Sequence, residues 1–254
     1  MSFKETVALV TGSSSGIGEA IARAFAAQGA AVVVNGRDAA RIDGVVARIH
    51  ADGGRAIGVR ADVTRKAEVQ GLIDGALATF GRIDIVVNNA GGEGAAKQVE
   101  EISEDDWDRV LATNLKSAFL VTQAALPILK RQGGGRIVNI SSQAGRAMTI
   151  LAGPAYSAAK AGLQAFSRQA ARQAAPFGIN INVVAPGIIR SNARIESLWD
   201  DLPQELKTRY LSDIPIGRLG ENDEIVAAVL FLASPGASYL VGATLDVNGG
   251  RWML

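Results

Sequence analysis

Seven short runs of apolar, mostly β-branched residues recur along this chain, and longer Ala-rich stretches with helical periodicity fill most of the intervals. That alternation restricts the fold more than any other feature, because strands separated by helices of this length build βαβ units around a parallel sheet. Strands are expected at 7–11, 31–35, 55–60, 83–88, 136–141, 179–185 and 244–247, and helices at 16–28, 38–51, 66–80, 104–130, 155–175 and 221–233. The run Ala31-Val32-Val33-Val34 has no polar alternation, as expected of a strand covered on both faces. Pro176-Phe177-Gly178 supplies the stop signal for the helix at 155–175. The expected fold is α/β, a doubly wound parallel sheet of about seven strands with helices on both faces. No linker or low-complexity stretch interrupts it, so residues 1–254 read as a single domain. Residues 186–220 form the longest segment outside the alternation. They follow the C-terminal end of a strand, where open α/β sheets bind ligands, and read as a substrate lid.

Composition excludes several functions. Lys+Arg 26 against Asp+Glu 25 leaves a net charge of +1, so no basic field invites nucleic acid or an anionic membrane. The absence of cysteine excludes disulfides, thiolate zinc sites and thiol catalysis, and fits a reducing compartment. His50 is the one histidine, so neither a metal site nor Ser/His/Asp catalysis can be assembled around it. Without a basic–apolar leader or an 18-residue apolar run, a soluble cytoplasmic protein is expected.

Two constellations carry chemistry. At the end of the first strand, Thr11-Gly12-Ser13-Ser14-Ser15-Gly16-Ile17-Gly18 opens a helix. A glycine-rich turn there lets the backbone approach a pyrophosphate, while the helix N-terminus offers amide donors. Much later, Tyr156 precedes Lys160 by four residues, which puts both side chains on one helical face. An ammonium beside a phenol favours the phenolate and suits the tyrosine to proton transfer at working pH.

With these and the intervening residues, the chain resembles the short-chain dehydrogenase/reductase family over essentially its whole length, and most closely its 3-oxoacyl reductase-like members. The resemblance implies a Rossmann-type sheet, with Gly12, Ser14, Ser15, Gly16, Ile17 and Gly18 in the cofactor loop. Asn89, Ala90 and Gly91, within Asn88-Asn89-Ala90-Gly91, match the fourth-strand motif, and Asp62-Val63 match the pair that contacts adenine. Asn114, Ser142, Tyr156 and Lys160 match the catalytic set. Ser142, not its neighbour Ser141, fits the serine-x-x-glycine pattern through Gly145. Tyr156 would exchange a proton with the substrate oxygen, and Lys160 would also hold the nicotinamide ribose. Asn114 would kink its helix and hold a water. Pro186-Gly187, with Ile189 and Ser191 beyond, resembles the turn that flanks the nicotinamide. The fourteen-residue interval from Ser142 to Tyr156 is slightly longer than the family's usual spacing, so the loop 143–154 bears on substrate shape.

Cofactor choice is readable after the second strand. An NAD site needs a carboxylate there for the adenosine ribose, but Asn35-Gly36-Arg37 puts glycine in that place and a guanidinium beside it. Arg37 with Asn35 therefore favours NADP(H), and NAD(H) is the alternative, with Asp38 better explained as a helix N-cap. On this reading Gly36→Asp would invert the preference. The expected activity is NADP(H)-dependent interconversion of a ketone and a secondary alcohol, without a metal. A sugar, polyol or other small-alcohol dehydrogenase is the alternative within the family, and a non-enzymatic dinucleotide sensor the alternative outside it. Lys130 and Arg131 would suit a carrier-protein partner, but Phe177 stands where a second basic residue would be expected. Ala158, Ala165 and Ala170 on the Tyr156 helix permit close helix packing and, with the resemblance, suggest a homotetramer.

Overall fold

The computed structural model describes residues 1–92, 97–148 and 150–253. Thr149, inside the 143–154 loop, and Leu254 therefore lie outside the described residues. The strands are β1 (Val7–Val10), β2 (Ala31–Gly36), β3 (Arg55–Arg60), β4 (Ile85–Asn88), β5 (Gly135–Ile140) and β6 (Ile179–Pro186). They are followed by two short strands, β7 (Ile189–Arg190) and β8 (Gly220–Glu221), and by β9 (Thr244–Val247). Seven of them form one parallel sheet in the order β3-β2-β1-β4-β5-β6-β9, while β7 and β8 pair with each other. The chain builds outward from β1 to β3, then returns past β1 to add β4. The connections on either side of β1 and β4 thus run in opposite directions, which opens a crevice above the C-terminal ends of these strands.

Strands β1, β2 and β4 are largely apolar and buried along their whole length because both faces are covered. Ala8 and Val10 of β1 pack toward α1 (Gly16–Ala27), α2 (Ala39–Ala51) and α9 (Asn222–Ala233), among Ile21, Phe25, Val45 and Val229. Val7 and Leu9 face the other way, toward α3 (Lys66–Phe80), α5 (Ser117–Gln132) and α6 (Pro154–Ala174), among Leu72, Val121 and Leu129. Each fully buried side chain of this size contributes about 1.5–3 kcal/mol. His50 bridges α2 and β3, its Nε2 3.0 Å from the carbonyl oxygen of Ala56. Ala158 and Ala165 are exposed on α6, but Ala170 points inward and packs beneath the sheet, so it is unavailable for contacts between subunits.

Two departures from the sequence pattern shape the site. The single helix expected at 104–130 is α4 (Glu104–Leu111) and α5 joined by a π-helical turn, Ala112–Lys116. Asn114 sits in that turn, buried. Its amide donates to the carbonyl oxygens of Val110 (3.0 Å) and Gly92 (2.8 Å) and accepts from the Gly92 amide (3.1 Å). A side chain that takes the carbonyl four residues back competes with the helix ladder and widens it. The second departure is the segment after β6, which contains helices α7 (Ala193–Asp200) and α8 (Gln204–Ser212). Trp199, Tyr210, Ile214 and Leu219 give it a small apolar cluster of its own, and the Trp199 and Tyr210 rings meet edge-to-face at 5.6 Å.

Candidate active site

The loop between β1 and α1 is held open by its neighbours. Thr11 Oγ1 accepts from the amides of Asn89 and Ala90, both at 3.0 Å. Asn89 Nδ2 donates to the carbonyl oxygens of Thr11 (2.9 Å) and Gly12 (3.0 Å). Gly12 and Gly16 adopt φ of +60° and +59°, which L side chains rarely reach. A Cβ on Gly12 would also lie 2.8 Å from the Cα of Ala90. Ser15 caps α1 with its backbone alone, so its side chain occupies none of the first amides. Backbone donors at a helix N-terminus, in a cradle opened by Gly12 and Gly16 and bordered by Ser14 and Ser15, fit the diphosphate of a dinucleotide.

Beyond this loop lies the pair found by spacing. Lys160 is 3% exposed; its Nζ donates to the Ile140 carbonyl oxygen at 2.9 Å and lies 5.5 Å from the centroid of the Tyr156 ring. Ser142 stands just past β5, and its Oγ accepts from the Ala144 amide at 3.1 Å. Ser141 is turned away, donating through its Oγ to the Lys160 carbonyl oxygen (3.0 Å) and accepting from Gln164 Nε2 (3.1 Å). Gly145 explains the serine-x-x-glycine pattern. A Cβ there would lie 2.8 Å from the Lys160 carbonyl carbon and 2.9 Å from the Ala161 amide nitrogen, so only glycine lets this turn rest against α6. Below the site, Asn88 Nδ2 donates to Asn139 Oδ1 (2.7 Å), and Asn139 Nδ2 donates to Ser167 Oγ (2.7 Å), tying β4, β5 and α6 together. The lid joins at Gln143, whose Nε2 donates to the Tyr210 hydroxyl at 2.7 Å. Burial pushes the Tyr210 phenol above its ordinary pKa.

At the far end of the crevice, β2 runs one residue longer than its sequence pattern, and Arg37 follows Gly36 directly. Arg37 and Arg41 line this end together with Asp62. Burial raises the pKa of the Asp62 carboxyl, but hydrogen bonds from the Thr64 hydroxyl and amide, with the charges of Arg37 and Arg65, outweigh it and hold the group below its usual value. Asp38 caps α2, its Oδ1 accepting from the Arg41 amide at 3.1 Å. Asn35 lines the crevice, but its amide is spent within the protein. It accepts from the Gly12 amide (3.3 Å) and donates to the carbonyl oxygens of Val59 (3.1 Å) and Ala61 (3.2 Å). Asn35 therefore shapes the loop instead of presenting its amide to a ligand.

The structure gathers the expected residues into two depressions that share Gly12, Ser15, Gly91, Asn192 and Arg194. Ser142, Tyr156 and Lys160 line one of them, with Gly16, Ile17, Gly18, Asn89, Pro186, Gly187, Ile189 and Ser191. Ser14, Asn35, Arg37, Asp62, Val63 and Ala90 line the other. Asn114 lines neither and supports Gly92 from below. Gln143, Leu151, Asn192 and Arg194 also line the depression that holds Ser142, Tyr156 and Lys160. Their only sequence signal was membership in the 143–154 loop or the 186–220 lid. Lys130 and Arg131 lie in the last turn of α5 just before β5 begins, at the opposite end of that strand from Ser142, and Lys130 Nζ lies 4.1 Å above the Phe177 ring. Among the described residues, no cluster of His, Cys, Asp and Glu suits a metal ion, and no helix is long and apolar enough to cross a membrane.

Comparison with known proteins agrees with this geometry. The family described as enoyl-(acyl carrier protein) reductase matches residues 12–251. The (2S)-((R)-hydroxy(phenyl)methyl)succinyl-CoA dehydrogenase subunit BbsD of Thauera aromatica is 42% identical, covering 99% of this chain and 98% of its own. The 3-oxoacyl-(acyl-carrier-protein) reductase FabG of Salmonella typhimurium is 40% identical over the full length of both chains. Among solved structures, a 7α-hydroxysteroid dehydrogenase complexed with NADH and 7-oxo glycochenodeoxycholic acid superposes with a TM-score of 0.91. It is 35% identical, covering 98% of this chain and 95% of that one.

Proposed function

The chain belongs to the short-chain dehydrogenase/reductase family and is an oxidoreductase acting on ketones and alcohols, and from that premise we propose that it is an NADP(H)-dependent, 3-oxoacyl reductase-like enzyme. One observation carries the reading: Ser142, Tyr156 and Lys160 line the same depression as the glycine-rich loop. Ser142 holds and polarises the substrate oxygen through its hydroxyl. Tyr156 donates its phenolic proton to that oxygen during reduction and takes it back during alcohol oxidation. Lys160, fixed by Ile140, stabilises the phenolate left behind and hydrogen-bonds the nicotinamide ribose. When bound, the dinucleotide supplies the hydride that goes to the carbonyl carbon. Asn114 keeps Gly91-Gly92 in place beside Lys160 and, as proposed from the resemblance, holds the water that links the lysine to solvent.

Arg37 supports NADP(H), because a guanidinium at the end of β2 suits a 2′-phosphate and Gly36 supplies no carboxylate to the ribose. The NADH in the steroid dehydrogenase complex keeps NAD(H) as the second reading. The reading further takes residues 1–254 as one cytoplasmic domain with a lid at 186–220, assembled as a homotetramer. A panel of 3-oxoacyl thioesters, hydroxyketones, sugars and an enoyl thioester, assayed by NADPH and NADH oxidation, tests it. Turnover of ketones with NADPH supports it. Turnover of the enoyl thioester alone would move the reaction from C=O to C=C, and intact binding without any turnover would favour a dinucleotide sensor.

A further inference from the structure

We infer that Arg194, in the first turn of the lid helix α7, is an anion clamp that closes the lid on the diphosphate of the bound dinucleotide. This rests on the dinucleotide reading above and adds a contact from the lid to those of the loop after β1. Arg194 is among the few residues that line both depressions, together with Gly12, Ser15, Gly91 and Asn192. A molecule filling both must pass between these residues, and in a dinucleotide the part joining the two nucleosides is the diphosphate. The lid already rests on the correct end of α1. Asn192 Nδ2 lies 2.9 Å from where a Cβ on Gly16 would stand, so the start of α7 meets the N-terminus of α1, where a diphosphate is held by backbone amides. Charge agrees with position. Among the described residues, the lining of the depression that holds Tyr156 contains Lys160 and Arg194 but no carboxylate. Lys160 is buried, and Arg194 is the other cation among the described residues of this lining. A guanidinium also matches phosphate oxygens as a planar fork of donors.

An acidic group on the substrate would satisfy the same guanidinium, and the experiment separates the two sources. ADP-ribose carries the diphosphate without nicotinamide or 2′-phosphate, so its affinity for wild type, Arg194→Ala and Arg194→Lys is measured by calorimetry. Protease nicking within 193–212 is followed in parallel, with and without ADP-ribose. The clamp predicts about tenfold or greater loss of affinity in Arg194→Ala, with Arg194→Lys between, since one charged hydrogen-bonding contact is removed. It also predicts that ADP-ribose protects the lid in wild type and not in Arg194→Ala. Equal affinity in wild type and Arg194→Ala overturns the clamp while leaving the dinucleotide site standing. If, in addition, KM rises only for ketones that carry an acid, Arg194 reads the substrate. No binding of ADP-ribose to wild type would overturn both the clamp and the dinucleotide reading.

Discussion

Tyr156 and Arg37 divide the proposed function between proton transfer and cofactor choice, and a single change at each separates the two. Tyr156→Phe removes the phenolic proton and keeps the ring beside Lys160. The expected outcome is a kcat lower by about 10²–10⁴-fold with dinucleotide affinity unchanged; near-normal turnover in steady-state assays would end the proposed mechanism. Arg37→Ala should erase most of an NADP(H) preference of roughly 10- to 150-fold and leave NAD(H) use little altered, read from kcat/KM for both cofactors. A wild type preferring NAD(H) would assign the ribose to another group. That group is not the Asn35 amide, which is already paired, but Asp38, whose Oδ1 caps α2 and which lines the same depression as Arg37. The structure also corrects the reciprocal design. A Cβ on Gly36 would lie 2.8 Å from Ser14 Oγ and 3.0 Å from Ser14 Cβ. Gly36→Asp would therefore disturb the loop under the diphosphate and weaken both cofactors before it could invert their order. The turn that holds Ser142 was legible from the spacing to Gly145, because that glycine is imposed by backbone contact with α6. Arg194 was not legible, since nothing in the local pattern of an irregular lid marks a side chain that reaches across to another loop.

Elements differ in how plainly the sequence announces them. The strands of the sheet are read within a residue or two, and most plainly β1, β2 and β4, where burial on both faces leaves continuous apolar runs. The π turn at Ala112–Lys116 is hidden, since the flanking helices share one uninterrupted pattern and the break depends on the contact of Asn114 with Gly92, distant in sequence. Helices α7 and α8 were hidden for another reason. They are eight and nine residues long and pack mainly into their own cluster, so neither shows a long amphipathic stripe. The contact that sets the site at this scale is the Gly145 turn against α6. Gly145→Ala would push a methyl group into the backbone of Lys160 and Ala161, which cannot retreat without moving the helix. A loss of about 1–3 kcal/mol in stability is expected, as for other overpacked contacts, together with reduced kcat as Ser142 leaves Tyr156. Chemical denaturation and steady-state kinetics on one preparation check both; unchanged stability with full activity would show that the turn does not depend on this contact.

At the scale of the whole molecule, two of the exposed apolar surfaces on the described chain lie on different elements. On one, Ala158 and Ala165 are exposed along α6, beside Phe119 of α5, which is 40% exposed and meets Phe166 edge-to-face at 6.1 Å. On the other, β9 forms the open edge of the sheet, with Leu245, Val241 and a fully exposed Tyr239 around it. Small residues on α6 allow two helices to approach closely, and an unpaired edge flanked by apolar side chains invites association. Two faces that each pair with themselves close into a tetramer with three perpendicular two-fold axes, whereas one such face stops at a dimer. Static light scattering should therefore give four times the 26.4 kDa chain mass. Ala165→Arg, which places a charged chain on the α6 face and touches no residue lining the active site, should halve that mass and leave the β9 contact intact. Inward-facing Ala170 offers no such test, because a charge there would strike the core. A wild type that stays monomeric at assay concentration, or a tetramer indifferent to Ala165→Arg, would remove the α6 face from the assembly.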